Sequence, residues 1–155
     1  MKKVYVLSGV PGSGKSTWAN KFKETHPQVL IVSSDDIRYE IGGAYQYFKE
    51  EDKVWSLFFS RANKEVEKDG NIDVILDSTC LTNEKRLNYL SRIIGFDYKV
   101  LVCFDIDLGT CLKRNKMHVS GKVVKNCEIS RMNNIREEPS EEVLRLFDEY
   151  IKVTD

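Results

Sequence analysis

Five short apolar runs divide the chain, each bounded by polar residues or glycine. They read KVYVLS, VLIVS, IDVILD, YKVLVCFD and, more weakly, EYIKV near the C-terminus. Between them, apolar residues recur at helical spacing over residues 16–24, 35–41, 50–68, 83–94, 107–117, 126–136 and 140–147. Because these runs are apolar on both faces and alternate with helices, they predict an α/β fold, with a parallel sheet of four or five strands between two helical layers.

The first apolar run leads into a glycine-rich turn, GVPGSGKSTWA. Its residues satisfy the phosphate-binding pattern G-x-x-x-x-G-K-[ST]. Glycines let successive backbone N–H groups approach a polyphosphate, Lys15 begins a helix whose N-terminus favours anions, and Ser16 offers a hydroxyl to Mg²⁺. The sequence therefore predicts a nucleotide site, whose contacts we assign to Gly9, Pro11, Gly12, Ser13, Gly14, Lys15, Ser16 and Thr17.

The second apolar run ends in SSDDIR. Ser33 and Asp36 have the spacing of a capping box, which explains the serines and one acid as a helix start. Asp35 and Arg38 are three residues apart, share one helix face, and follow a strand end, where ligands of open α/β sheets bind. A carboxylate there can take the proton of an acceptor hydroxyl, and a guanidinium can hold an acceptor phosphate. Asp35 and Arg38 are therefore candidate catalytic and substrate-binding residues.

The third apolar run ends at Asp77, which Ser78 and Thr79 follow. An acid in this position holds Mg²⁺ in many P-loop proteins, so we interpret Asp77 as a metal ligand together with Ser16. The hydroxyls of Ser78 and Thr79 suit either acceptor binding or the start of the next helix, and the sequence favours neither. Thr82, a few positions on, is a good helix-starting residue.

The fourth apolar run leads into a helix and then a basic stretch. Only Glu128 opposes its cations, which are Lys113, Arg114, Lys116, His118, Lys122, Lys125 and Arg131. Such a run is often a solvated face, but a mobile lid that closes basic side chains over phosphate recurs in phosphoryl transferases, and HVSGK has the composition of a flexible loop. We therefore predict a helical lid over residues 112–131, whose basic side chains close over the phosphates of the nucleotide.

Two aromatic segments lie outside these strand ends. In KVWSLFFSRANKEVEK the apolar residues recur at helical spacing, which predicts a core stripe rather than a platform for stacking bases. In the loop GGAYQYF, the rings of Tyr45, Tyr47 and Phe48 suit either a gate over an acceptor pocket or a cover for the core. The pattern leaves both interpretations open.

Composition narrows the class of protein. The 155 residues fit one domain, and 24 Lys and Arg balance 24 Asp and Glu, so any polyanion site is local. The four cysteines form no C-x-x-C pair and histidine is scarce, so neither a zinc site nor a disulfide framework is expected. We find no signal peptide and no apolar stretch of membrane-spanning length. The sequence thus predicts a cytoplasmic protein with no membrane partner.

Four segments in one order carry a family resemblance: GVPGSGKSTWA, SSDDIR, DSTCLTNEKRL and CFDIDLGTCLKRN. Together they resemble the kinase domain of phage polynucleotide 5'-hydroxyl kinase and the wider group of P-loop kinases. The likeness runs from Lys2 to about Arg131. It implies an adenylate-kinase-like three-layer P-loop NTPase fold, and a Mg²⁺-dependent kinase that moves the γ-phosphoryl of ATP to the 5'-hydroxyl end of DNA or RNA, as in nucleic-acid repair.

The same resemblance implies roles for individual residues. Lys15 and Ser16 would hold the nucleotide and Mg²⁺, Asp35 would be the general base, and Arg38 would contact acceptor phosphate. Asp77 or its neighbours would help place the acceptor, and Arg114 would be a lid arginine that contacts the nucleotide.

Two positions depart from the family pattern. Ser78 separates Asp77 from Thr79, as in the wider group, which favours a metal role for Asp77. His118 stands where the phage enzyme has a second lid arginine, and Lys122 is a nearby cation that could replace it.

Three functions follow from the sequence. The leading hypothesis is a polynucleotide 5'-hydroxyl kinase. The second is a P-loop kinase of a small hydroxylated acceptor such as a nucleoside, sugar or antibiotic, which the zero net charge suits. The third is an ATP-binding switch without catalysis, for which the altered lid is the support.

Overall fold

The computed structural model describes residues 1–155, and it contains all five predicted strands and all seven predicted helices. In chain order the elements are β1 (Lys2–Ser8), α1 (Lys15–Thr25), β2 (Leu30–Ser33), α2 (Ser34–Gly42), α3 (Glu51–Glu65), β3 (Ile72–Asp77), α4 (Asn83–Arg92), β4 (Tyr98–Phe104), α5 (Leu108–Lys116), a 3₁₀ turn (Ser120–Lys122), α6 (Asn126–Ile135), α7 (Glu141–Leu146) and β5 (Glu149–Val153).

The five strands form one sheet in the order β2-β3-β1-β4-β5, and every neighbouring pair is parallel. β1 lies at the centre, with Val6 opposite Leu76 of β3 and Leu101 of β4. Ser33 of β2 lies opposite Asp77 of β3. The segments that follow β1, β2 and β3 therefore meet at one edge of the sheet, as the sequence predicted.

Helices cover both faces of the sheet. Alternate residues of β1 separate to opposite sides, with Val4 and Val6 in one buried cluster and Leu7 in the other. The first cluster packs side chains of α2, α3, α4 and α7, and the second packs those of α1, α5 and α6. The predicted three-layer arrangement is confirmed, and the fourth and fifth strands complete it on the side of β1 away from β3.

Local hydrogen bonds explain where the helices begin and end. The hydroxyl of Ser33 caps α2 by accepting from the backbone N–H of Asp36 at 3.3 Å, as predicted, and Thr82 caps α4 in the same way. α3 ends at Glu65, three residues before the predicted boundary of residue 68. The chain tightens there because the N–H of Lys68 bonds to the carbonyl of Glu65, a 3₁₀-type turn.

The aromatic stripe of α3 lies in the core, as predicted. Phe58 is fully buried, and its ring lies 5.1 Å from that of Trp55 and 5.8 Å from that of Tyr89 on α4. None of the helices combines the length and the apolar character that a membrane crossing requires.

Candidate active site

The glycine-rich turn that follows β1 is a tightly curved loop. Gly12 and Gly14 have φ angles of 85° and 99°, in the left-handed region that favours glycine. A Cβ at Gly12 would also overlap the carbonyl oxygen of Cys111, so α5 packs directly against the loop. The N–H of Gly9 donates to the carbonyl of Thr79 at 2.9 Å, which ties the start of the loop to the end of β3. The loop therefore has the shape of an anion cradle.

Lys15 follows the cradle and folds back onto it. Its Nζ donates to the carbonyl oxygens of Gly9 at 2.9 Å and Val10 at 3.1 Å. Burial lowers the pKa of the Lys15 ammonium, and the charges of Asp77 and Asp35 oppose that effect. Both predicted carboxylates are thus close enough to act electrostatically on the predicted phosphate-binding lysine.

Ser16 and Asp77 form the second pair that the sequence predicted. The Ser16 hydroxyl donates to Asp77 Oδ2 at 3.1 Å. Burial raises the pKa of the Asp77 carboxyl, and the charge of Lys15 and the hydrogen bond from Ser16 oppose that rise. One hydroxyl and one carboxylate beside a phosphate cradle are oxygen ligands of the kind that Mg²⁺ takes with a bound nucleotide, so the residues present fit a Mg²⁺ ion.

A second ion-pair cluster lies at the start of α2. Arg38 Nη1 donates to Asp35 at 3.0 Å, while Arg38 Nη2 and Nε donate to Glu51 of α3 at 2.7 Å and 3.0 Å. The side chain of Asp35 is 60% exposed, but that of Arg38 is only 10% exposed. Burial acts to lower the pKa of Arg38, but the hydrogen bonds and charges of Glu51 and Asp35 outweigh it and raise that pKa. Arg38 therefore fixes the position of Asp35 at the edge of the site.

Aromatic rings complete the surroundings of Arg38. Its guanidinium carbon lies 5.0 Å from the ring centre of Phe48 and 5.6 Å from that of Trp55. A guanidinium has five N–H donors, and three of those of Arg38 are engaged by Glu51 and Asp35, which leaves two for a ligand. Phe48 is itself 60% exposed, so it lies between the Arg38 guanidinium and the surface of the protein.

The two hydroxyl residues after Asp77 have different surroundings. Ser78 is buried, and its Oγ shares a 2.8 Å hydrogen bond with the hydroxyl of Tyr89. That contact belongs to the core between β3 and α4. Thr79 is half-buried and contacts the cradle through its carbonyl oxygen. The structure thus brings Asp77 and Thr79 to the cradle and directs Ser78 away from it.

The predicted lid crosses the mouth of the site between α5 and α6. Arg114 Nη1 lies 3.5 Å from the place that a Cβ of Gly14 would occupy, while its Nη2 donates to Asp155 at 2.8 Å. Lys122 lies on the other side of the mouth, 3.9 Å from Asp36 and 4.7 Å from the ring centre of Tyr45. Arg114 therefore lies on the cradle side, and Lys122 on the α2 side.

Sequence reasoning missed two residues that hold these elements. Glu51 binds Arg38 from a different helix, 13 residues away, and no local pattern marks it. Asn115 is buried and exchanges two hydrogen bonds with the backbone of Val124, at 2.7 Å and 2.9 Å, which closes the base of the lid segment. Asn115 lies within the basic run, and no local pattern distinguishes it from its charged neighbours.

Comparisons with known proteins agree with this geometry. The chain is 35% identical over 99 residues to human NEDD4-binding protein 2, a match that covers 62% of this chain and 5% of that protein. Its fold superposes on a chain of the Pnkp1/Rnl/Hen1 RNA repair complex with a TM-score of 0.72 at 20% identity, covering 86% of this chain and 43% of the other. A gluconokinase from Sinorhizobium meliloti 1021 gives a TM-score of 0.59 at 17% identity, with 98% and 82% covered.

The chain spans only a small part of the human relative and less than half of the repair-complex chain, and the two solved structures establish the fold alone, not an acceptor. The predicted adenylate-kinase-like α/β fold of P-loop kinases is confirmed. Residues 4–139 match the model of a family described as AAA domain. That match includes the cradle, both carboxylate positions and the lid segment, and the protein therefore belongs to the AAA_33 family of AAA domains.

Proposed function

We propose that this protein is an ATP-dependent kinase of polynucleotide 5'-hydroxyl ends. The observation that carries the proposal is the meeting of a phosphate cradle, a Ser16–Asp77 oxygen pair and an exposed, arginine-anchored Asp35 at one edge of the sheet. A protein that only binds a nucleotide, without catalysis, does not need the exposed carboxylate. The structural likeness to a chain of an RNA repair complex supports a nucleic-acid acceptor.

The chemistry assigns one task to each group. The backbone N–H groups of the cradle and the Lys15 ammonium bind the β- and γ-phosphates of ATP, and Arg114 approaches them from the lid. Asp35 accepts the proton of the acceptor hydroxyl while the oxygen of that hydroxyl forms a bond to the γ-phosphorus. The bond from the γ-phosphorus to the bridging oxygen of the β-phosphate breaks at the same time, which releases ADP. The two unengaged N–H groups of Arg38 bind an acceptor oxygen, and so hold the hydroxyl beside Asp35.

Ser16 and Asp77 would hold the Mg²⁺ ion. When bound, Mg²⁺ supplies positive charge that neutralises the β- and γ-oxygens. Ser13 lies within the cradle, and its buried hydroxyl has no hydrogen-bond partner in the protein, so it is free to bind the nucleotide.

A kinase of a small hydroxylated acceptor is the second candidate, and the Arg38–Glu51 pair favours it. Glu51 offsets the charge of Arg38, so an acceptor phosphate gains less attraction there than an unpaired arginine would give. The likeness to a gluconokinase agrees with a small acceptor.

One assay separates these functions. The protein is incubated with γ-labelled ATP, Mg²⁺ and a panel of 5'-hydroxyl DNA, 5'-hydroxyl RNA, nucleosides and sugar acids. We expect label on a polynucleotide 5' end, in amounts that fall steeply as salt increases. Label confined to nucleosides or sugar acids would support the second candidate. Label on no acceptor, with ATP still bound, would reject catalysis in favour of an ATP-binding switch.

A further inference from the structure

A cavity of about 240 Å³ lies beyond the end of β3, between α3, α4 and α6. Trp55 and Phe59 of α3 form one wall, and Thr79 lies at the end nearest the cradle. Lys85 and Arg92 of α4 and Arg131 of α6 stand around it. None of the roles proposed above for the phosphoryl transfer uses these three cations.

The charge of this cavity differs from that of the chain as a whole. Its lining includes three cations and no Asp or Glu, although the protein has a net charge of zero. Lys85 and Arg92 have no carboxylate within 4.0 Å, and Arg131 meets only Glu128, in a pair whose side chains are both about half exposed. The lining of the cavity is therefore locally positive, although the chain as a whole is neutral.

The walls of the cavity favour a flat apolar group. Seven of its 13 lining residues are hydrophobic, among them Trp55, Phe59 and Tyr89. The guanidinium carbon of Arg92 lies 4.3 Å from the ring centre of Phe59, so one cation already stacks on this wall. A ligand that uses both features combines a planar ring with an anion. Nucleobases and backbone phosphates provide that combination.

The cavity adjoins the proposed transfer site. Trp55 lines it and also lies 5.6 Å from the guanidinium carbon of Arg38. Thr79 lines it and also accepts the hydrogen bond from Gly9 at the start of the cradle. Carboxylates surround Arg38, where Asp35 and Glu51 outnumber its single charge, so the electrostatics favour phosphates in the cavity rather than beside Arg38.

We infer that this cavity binds a nucleobase and backbone phosphates of the acceptor strand beyond its 5'-terminal sugar. The inference rests on the proposed function and deepens it. It places the recognition of a polymer on α4 and α6, while Asp35 and Arg38 recognise the terminal hydroxyl. It also explains how a protein without net positive charge distinguishes a polynucleotide from a nucleoside.

The test uses the double variant Lys85→Gln/Arg92→Gln, because both of these cavity cations lie on α4, outside the predicted lid. Its matched control is Lys21→Gln/Lys23→Gln, which removes two exposed lysines of α1 that have no ion-pair partner. Binding of a 5'-hydroxyl oligonucleotide with a 3' fluorophore is followed by fluorescence anisotropy over a salt series. Label transfer from ATP to the same oligonucleotide and to a nucleoside is measured in parallel.

We expect the cavity variant to weaken oligonucleotide binding by about 10-fold or more, and to reduce the slope of log K against log salt by about 1.4, since each lost phosphate contact on a single strand accounts for about 0.7. The kcat at saturating oligonucleotide and the KM for ATP should not change, and the control should match the wild type. Equal effects in both variants, no effect in either, or a wild type that does not bind the oligonucleotide would each overturn the inference.

The anisotropy measurement requires no phosphoryl transfer. A wild type that binds the oligonucleotide through Lys85 and Arg92 but transfers no label to it would contradict the proposed function and retain the cavity as a strand site. If the cavity variant transfers label to polynucleotides as well as the wild type does, the proposed function is retained and the cavity is rejected as a strand-binding site.

Discussion

Ser16 Oγ donates a hydrogen bond to Asp77 Oδ2 at 3.1 Å, although the two residues lie 61 positions apart in the chain. One ends the phosphate cradle and the other ends the neighbouring strand β3. The parallel pairing of β1 with β3 creates this contact, because it brings both carboxyl ends to the same edge of the sheet. The sheet thus assembles the proposed metal-binding pair, which neither segment contains alone.

The Asp77→Asn variant tests that pair. We expect the Mg²⁺ concentration for half-maximal label transfer to rise by about 10- to 100-fold, the range found when a partner that orients a metal site is lost. Burial raises the pKa of Asp77, so protons compete with Mg²⁺ at a higher pH than they would at an ordinary aspartate. In the wild type, Mg²⁺ affinity should therefore fall as pH falls through that raised pKa.

Titrations of Mg²⁺ in the presence of ATP, from neutral into mildly acidic pH, measure both effects. The amide side chain of the Asp77→Asn variant cannot take up the proton, so the variant should lose this part of the pH dependence as well as affinity. A variant with wild-type Mg²⁺ affinity at every pH would remove Asp77 from the metal site.

Asp35 and Asp36 provide a matched pair for the catalytic proposal. Their side chains are equally exposed, at 60%, but Asp35 is held by Arg38 at 3.0 Å, whereas Asp36 lies 3.9 Å from Lys122 of the lid. We expect Asp35→Asn to lower kcat by about 10²- to 10⁴-fold, as loss of a general base does, with no change in the Kd for ATP. Asp36→Asn should retain most of the activity. Single-turnover transfer rates measure the difference, and equal losses in the two variants would show that helix charge rather than proton transfer is responsible.

Local sequence signals were sufficient to predict the residues at the edge of the sheet where the candidate site lies. The pattern of Gly9 to Ser16 predicts a cradle because its chemistry lies in consecutive residues. The caps at Ser33 and Thr82 were also predicted correctly, since a cap depends on residues three apart. Asp77 could be placed near the cradle because strand ends converge in a parallel sheet.

Contacts between distant segments could not be predicted in this way. Arg38 was expected to contact acceptor phosphate, but Glu51 of α3 engages two of its five N–H donors. Ser78 left two interpretations open, and its hydrogen bond to Tyr89 depends on how α4 packs against β3. Arg86, within a run of charged residues, has the sequence context of a surface residue, yet it is only 2% exposed. Each of these outcomes follows from tertiary packing, on which local patterns carry no information.

Gly12 tests how closely the cradle depends on α5. Gly12 and Gly70 have similar φ angles, 85° and 87°, but a Cβ at Gly12 would overlap the carbonyl of Cys111, whereas a Cβ at Gly70 would contact nothing within 4 Å. Gly70→Ala should cost about 1–2 kcal/mol for its left-handed backbone alone. Gly12→Ala should cost roughly 3 kcal/mol or more, because the clash adds to the same strain.

Urea unfolding of the two glycine variants measures this difference, and ATP binding should be lost only in Gly12→Ala. Equal free energies of unfolding in both variants would indicate that α5 moves away from the loop at little cost.

Arg86 connects three segments of the chain that lie next to the cradle. Its guanidinium donates to the hydroxyl of Ser8, the last residue of β1, at 3.1 Å, to the carbonyl of Glu137 at 2.8 Å and to Asn83 at 2.8 Å. No carboxylate forms an ion pair with it, so the charge is balanced by neutral acceptors alone. The side chain therefore links β1, α4 and the segment after α6 through hydrogen bonds.

Arg86→Met keeps the apolar stem and removes the donors. Hydrogen bonds to a charged group contribute about 1.5–3 kcal/mol each, and the loss removes the donor from the buried Ser8 hydroxyl and the partly buried Glu137 carbonyl, so we expect a destabilisation of about 3 kcal/mol. Arg145→Met is the control, because its pair with Glu141 is exposed and should contribute less than about 1 kcal/mol. Chemical denaturation compares the two. A stability of Arg86→Met equal to that of the control would mean that water or apolar packing replaces the guanidinium, and that the base of the cradle is held by the sheet alone.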